Sequence, residues 1–293
     1  MGQKEEKFTK ETEKGDYVLT PKNDVIFQTL FSKGNEEITK SLISSIIKQE
    51  ITYIEMDVAT HLKRKYAEDK LGILDLRVKL QDNIQCNIEV QMIDRGNISE
   101  RMLFYWSKQF ASQIVSGNDY TLLHKTISIA ILNFELPETK SLPFCTNWKI
   151  IEDKKRQNVL TDKLDLYIIE LPVLMREKNK KLSDSLTQWM LFLDNPKSEE
   201  VQEIMKKNDN IKKAVDEFDK ITKDKELRRI AELREKAILD ENSMLSYAER
   251  KGLKKGKNTI AKNMLKKGVE IEFIKEVTGL TDKEIEELKQ DKK

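Results

Sequence analysis

A chain of 293 residues is long enough for one large domain, or for an ordinary domain with an appendage, and for a core able to support an enzyme. Its 53 Lys and Arg nearly cancel its 51 Asp and Glu, so global charge points to neither nucleic acid nor membrane and any basic surface has to be local. Two cysteines, Cys86 and Cys145, and two histidines, His61 and His124, are too few for a disulfide framework or a His/Cys-built zinc site.

The first 16 residues are charged and polar without an apolar centre, which reads as a disordered leader and not as a signal peptide or anchor. Glu6 breaks the myristoylation pattern that Gly2 begins. The longest strongly apolar stretch, residues 127–134, is well short of the ~20 residues a membrane helix needs, so the expectation is a soluble, cytoplasmic protein with no membrane contact.

Pro21 and Asn23 introduce NDVIFQTLF, in which Ile26, Phe27, Leu30 and Phe31 recur at helical spacing until Gly34. A second helix carries Ile38, Leu42, Ile43, Ile46 and Ile47 on one face, and residues 51–58 alternate as a strand. The lysine-rich residues 63–70 read as a loop, and Gly72 opens a hairpin over residues 73–92. Asn97 and Glu100 have capping-box spacing ahead of a helix whose apolar face holds Met102, Tyr105, Trp106, Phe110 and Ile114, with Gly117 at its end. TISIAILNF, residues 126–134, has the composition of a strand buried on both faces, and residues 148–151 and 164–171 predict short strands. From Leu182 strands give way to charged helices bearing Trp189, Leu191, Phe192, Ile204, Ile211, Val215 and Phe218. The expected organisation is therefore a leader (1–16), an α/β domain (17–196) and a helical C-terminal region (197–293).

In ILDLRVKL, Leu74, Leu76, Val78 and Leu80 share one face while Asp75, Arg77 and Lys79 share the other; Cys86, Ile88 and Val90 then alternate with Gln85, Asn87, Glu89 and Gln91. A three-residue loop at Gln81, Asp82 and Asn83 sets Leu80 opposite Ile84 and so pairs Asp75 with Glu89. Two carboxylates facing each other across adjacent strands, roughly 5 Å apart at Cβ, repel unless a cation lies between them. A hard divalent ion such as Mg2+ meets that need and can activate water for phosphodiester hydrolysis, with Gln91 on the same face to orient it. The same polar row is equally a solvated hairpin face in which Arg77 and Lys79 neutralise the acids.

LTPKNDVIFQTLF, GILDLRV, NIEVQM, RMLFYWSKQFASQIVSGNDYTLLHKTISIAIL, LDLYIIELP and the segment from AERKGLKKGKN to EIEEL together resemble, in order and spacing, the Rpn family of recombination-promoting nucleases, also described as PD-(D/E)xK nuclease family transposases. The resemblance covers most of residues 17–290. It implies an α/β, restriction-endonuclease-like mixed sheet flanked by helices, with a helical C-terminal tail. It also implies a Mg2+- or Mn2+-dependent DNA endonuclease of low sequence specificity, linked to recombination or transposition. Carried over by position, it makes Asp75 and Glu89 the metal ligands and places Gln91 where the wider superfamily commonly has lysine. A neutral Gln does not supply lysine's charge, which keeps open the alternative of a weak or inactive nuclease fold serving as a DNA-binding or protein-interaction module. Asp24 and Glu37 are accessory acidic candidates, or else a first-turn residue favoured by the helix dipole and a solvated helix residue. Arg101 and Tyr105 match recurrent family positions; one of the pair could bind phosphate, and Tyr105 also fits a core position beside Trp106.

At the C-terminal end, Lys254, Lys255, Lys257, Lys262 and Lys266 form a basic cluster on an expected helix. Ala261, Met264, Leu265, Ile271, Ile274 and Val277 form a small apolar set, Gly279 interrupts it, and Thr281 with Glu284 makes a capping box. Two short helices about VTGLTD have the pattern of a helix-turn-helix that contacts DNA, or of a hairpin through which the chain forms a homo-oligomer.

Overall fold

Asn23 opens the first helix, α1 (Asp24–Leu30), by accepting a hydrogen bond from the Val25 amide, and Val25, Ile26, Phe27 and Leu30 turn inward from it. The computed structural model describes residues 19–56 and 76–290. In α2 (Glu36–Ile47) the expected face is buried in full, and Lys48 ends the helix in a left-handed conformation. β1 (Ile54–Met56) pairs antiparallel with β2 (Leu76–Leu80), and β2 pairs antiparallel with β3 (Gln85–Gln91). The expected hairpin register holds, with Leu76 opposite Ile88 and the Leu80 amide bonded to the Ile84 carbonyl at 2.8 Å. Asp82 and Asn83 turn the loop at φ of 56° and 58°, a region that short polar side chains tolerate.

Two parallel strands and an antiparallel edge strand complete the sheet. From β3 the chain passes through α3 (Ile98–Ala111) to β4 (Thr126–Leu132), which lies parallel to β3 and is buried along its whole length. β5 (Cys145–Trp148) and β6 (Leu164–Glu170) follow, giving the described six-stranded order β1-β2-β3-β4-β6-β5. The strand expected at residues 148–151 lies earlier, with Ile151 making only an isolated bridge to Val159. α3 stops at Ala111, short of Gly117, and Asn97 makes no side-chain cap bond, so the expected capping box does not form.

The helices that follow are α4 (Leu171–Arg176), α5 (Ser185–Asp194), α6 (Glu199–Met205), α7 (Asp209–Lys223) and α8 (Lys225–Lys266). Asp184, Ser198 and Asn208 cap α5, α6 and α7 through side-chain oxygens. Of these, α5 to α7 pack on the sheet. Trp189, Phe192, Val201, Ile204, Ile211, Ala214 and Phe218 join the main core with Phe27, Phe31, Leu42 and Ile43, on the sheet face formed by Val78, Cys86, Ile88, Ile129 and Ile169. The Trp189 ring sits 6.0 Å from Phe31 and 5.8 Å from Phe192. α3 covers the other face, where Ile98 and Met102 meet Ala130, Leu132 and Ile168.

Packing divides the chain into two compact units after Glu235, so the expected limit at residue 196 falls inside the first. In the second unit, Ala261 of α8 packs with Ile274 of α9 (Ile271–Thr278) and with Leu280, Ile285 and Leu288 at α10 (Asp282–Gln290). Gly279 at φ 66° ends α9, and Thr281 and Glu284 form the expected capping box. Ile271 and Val277, expected in this small core, are exposed; Leu280, Ile285 and Leu288 close it.

Candidate functional site

Two residues apart on β3, the Asn87, Glu89 and Gln91 side chains share the sheet face covered by α3. Pairing sets Ser128 of β4 beside Asn87 and Ala130 beside Glu89, while Arg77 of β2 stands opposite Asn87. The row is not solvated: Glu89 is only 3% exposed, as is Asn87.

A buried carboxylate requires compensation. Glu89 Oε1 accepts from Arg101 Nε at 2.8 Å, from Arg101 Nη2 and from Gln91 Nε2. The guanidinium of Arg101 lies 5.1 Å from the Tyr105 ring centroid, and Tyr105 meets Phe104 edge-on at 5.3 Å. Arg101, Phe104, Tyr105 and Lys108 recur at helical spacing, so one side of α3 carries two aromatics between two cations, the first of which is on Glu89. Phe104 is 60% exposed. On the opposite side of α3, Trp106 Nε1 donates to the Thr126 carbonyl at 2.9 Å, and Gln113 bonds Thr126 and His124 to anchor the segment that follows the helix.

Asp75 lies outside the described residues. The other expected residues fall into two sets. Glu89, Gln91, Arg101 and Tyr105 meet in the cluster above. Asp24 and Glu37 sit on α1 and α2, which pack on the opposite sheet face. Asp24 is buried and bound to Arg234 Nε, with Asn23 Nδ2 donating to the Ala231 carbonyl at 3.0 Å. Beside them, burial pushes the Glu235 carboxyl above its ordinary range. Glu37 pairs with Lys40 at 3.1 Å, its side chain 70% exposed. Among the described residues no three His, Cys, Asp or Glu side chains converge to hold a metal.

Two buried groups were not singled out in the sequence. Asn87 Oδ1 has no hydrogen-bond partner among the described residues, although it belongs to the same period-two polar row as Glu89. Such an atom is unusual inside a protein and suits an additional cation or ordered water. Asp165 of β6 is buried on the main-core face beside Lys125, with Lys149 at 3.4 Å, and only that pairing distinguishes it from its apolar neighbours. The oxygens of the β3 row, the Glu89 carboxylate and Asn87 Oδ1, are of the kind a hard divalent ion takes.

A mixed sheet covered by helices on both faces, with an acidic side chain at the centre of β3, is consistent with a PD-(D/E)XK nuclease fold followed by a helical C-terminal region. Residues 21–248 match the family described as PD-(D/E)XK nuclease family transposase, and the chain belongs to that family. Residues 254–290 match the Rpn/YhgA-like nuclease family C-terminal HTH domain, a class of module that binds DNA. Searches of curated proteins and of solved structures found no match. No described helix is long and apolar enough to cross a membrane.

Proposed function

We propose that the protein is a divalent-metal-dependent DNA endonuclease of low sequence specificity, acting in recombination or transposition. The observation that carries this reading is the buried Glu89 carboxylate on the covered face of β3, in a family of nucleases. The described hairpin register is the one that led the sequence to pair Asp75 with Glu89. In this reading Asp75 and Glu89 would hold Mg2+ or Mn2+, which would supply an activated water and a Lewis acid for the scissile phosphate. Gln91 would orient the water through its amide, and Arg101, displaced from Glu89 Oε1 by the ion, would be a cation available to the phosphate.

Supercoiled plasmid tests it. The native protein nicks plasmid in Mg2+ or Mn2+ and stops in chelator, while Asp75→Ala and Glu89→Gln each lose about 100-fold or more, the scale of removing a principal electrostatic contributor. Equal nicking by the native chain and Asp75→Ala removes the assignment. One feature favours the second reading, a nuclease fold serving as a DNA-binding or protein-interaction module: Arg101 and Gln91 both already engage Glu89 Oε1. Calorimetric titration with Mn2+ separates the two, since absent metal binding with retained DNA binding selects the module.

A further inference from the structure

The C-terminal unit is electrically lopsided. Residues 251–267 contain Lys251, Lys254, Lys255, Lys257, Lys262, Lys266 and Lys267 and no acidic residue, whereas α10 carries Asp282, Glu284, Glu286 and Glu287 against Lys283 and Lys289. Its cations are partly used locally: Lys289 pairs with Glu286 at 2.7 Å, and Lys275 of α9 pairs with Asp282 at 2.9 Å. In a helix-turn-helix the second short helix ordinarily enters the major groove, and here it would carry four carboxylates toward the phosphates.

The lysines of α8 are ordered differently. With 3.6 residues per turn and Ala261 facing the small core, Lys254 and Lys257 point toward α9 and α10, where Lys254 approaches Glu284 at 3.9 Å. Lys251, Lys255, Lys262 and Lys266 instead fall on one flank, a line about 22 Å long that spans roughly six phosphate steps of one DNA strand. Next to that line, on the side turned away from Ala261, are Gly252 and Gly256, one turn apart. A Cβ on either would meet nothing within 4 Å, so no packing among the described residues requires glycine there. Each nevertheless costs the helix about 1 kcal/mol relative to alanine. A bare patch of helix backbone beside a row of cations suits close approach to a polyanion. A second copy of the same segment would bring its own seven lysines against these.

We infer that this unit holds DNA by the Lys251/Lys255/Lys262/Lys266 flank of α8, with Gly252 and Gly256 letting the helix lie close to the phosphate backbone, and not by inserting α10 into the groove. Binding is consequently independent of base sequence. It is measured in chelator, so that it stands or falls separately from cleavage. Fluorescence anisotropy of the full chain on two unrelated 30-base-pair duplexes, titrated with salt, gives the slope of log affinity against log salt. Lys251→Gln/Lys255→Gln/Lys266→Gln lowers that slope by nearly three, about 0.9 per phosphate contact, equally on both duplexes. Lys283→Gln/Lys289→Gln leaves it unchanged. Gly252→Ala/Gly256→Ala raises thermal stability while weakening DNA binding about tenfold, a pairing of signs that a merely structural role does not produce. The inference is overturned if the α10 variant abolishes binding while the α8 variant retains it, or if the glycine variant binds DNA as the native chain does. It is overturned equally if the lysine variant keeps its DNA affinity and loses only self-association or binding to phosphatidylserine vesicles.

Discussion

Arg101 donates from Nε to Oε1 of Glu89 at 2.8 Å, tying the start of α3 to the centre of β3 through a carboxylate that water barely reaches. The pair is also the point at which stability and the proposed chemistry meet, because a metal that takes Glu89 competes with Arg101 for the same oxygen. Removing the arginine leaves a buried charge short of its partner. Arg101→Ala therefore costs about 3–5 kcal/mol in urea denaturation, and Glu89→Gln, which removes the charge along with its need for compensation, costs less. Arg101→Lys recovers part of the loss without the forked hold or the stacking on Tyr105. A cost under ~1 kcal/mol for Arg101→Ala is the signature of a solvated pair and contradicts the burial described. Excess Mg2+ raises the melting temperature of Arg101→Ala more than that of the native chain, since the vacated oxygen becomes available to the ion.

Gln91 is half-buried at the end of β3 and already donates to Glu89 Oε1. Gln91→Lys keeps a donor of similar reach and adds the charge that the wider superfamily commonly places there. Its expected effect is a change of less than about 1 kcal/mol in stability with a rise of about tenfold in metal-dependent nicking, the increment a positioned cation gives a developing phosphorane. Unchanged nicking alongside unchanged stability shows that the chain's activity is not limited at this position.

How much of this was legible in the sequence follows from which interactions are local. Two runs of period-two alternation and a three-residue loop fix a hairpin register almost alone, because a one-residue slip would turn Val78, Cys86 and Ile88 out of the core; the register expected from Leu80 and Ile84 is the one observed. Alternation reports which side a residue faces but not what covers that side. The burial of Glu89 and Asn87 is therefore not legible from the alternation, which leaves a solvated face open until α3, through Ile98 and Met102, is seen closing over it. Residue 196 falls inside the first compact unit for a related reason. Charge density rises after Leu182, yet the apolar faces of α5 to α7 find their partners on α1 and α2, and the Asp24–Arg234 pair joins positions 210 apart. Composition within a short window carries no record of such a pairing.

The domain limit yields a direct prediction. A chain ending at residue 196 lacks Val201, Ile211, Ala214 and Phe218, all essentially buried in the main core. Deleting even one large core side chain costs about 2–5 kcal/mol, so the loss of Val201, Ile211 and Phe218 together is comparable with the 5–15 kcal/mol by which a whole domain is stable. That fragment is expected to lack a cooperative melt, whereas a chain ending at 235, which keeps the Asp24–Arg234 pair, melts cooperatively. Circular dichroism on the two fragments decides between the limits, and cooperative unfolding of the shorter one overturns the packing argument.

The cysteines give a pH-dependent readout of the same core. Burial pushes the Cys86 thiol up to about 12 and Cys145 up to about 11, from an ordinary value near 9, and Tyr167 next to them rises to about 12. With its pKa raised in the folded state, each group keeps its proton where the unfolded chain has lost it, so the linkage lowers stability as pH rises. The loss begins near pH 9, where unfolded thiols ionise, and continues until the folded values are reached. For Cys86 alone its slope approaches 1.4 kcal/mol per pH unit. Cys86→Ala should flatten the decline in urea midpoint between pH 9 and 11, even though the substitution costs some packing at neutral pH. At pH 8 in the native state Cys86 should resist iodoacetamide and react only as the protein unfolds, because the thiolate is the nucleophile and the folded site suppresses it. Alkylation of native Cys86 at the rate of a free thiol contradicts its complete burial between β2 and β4.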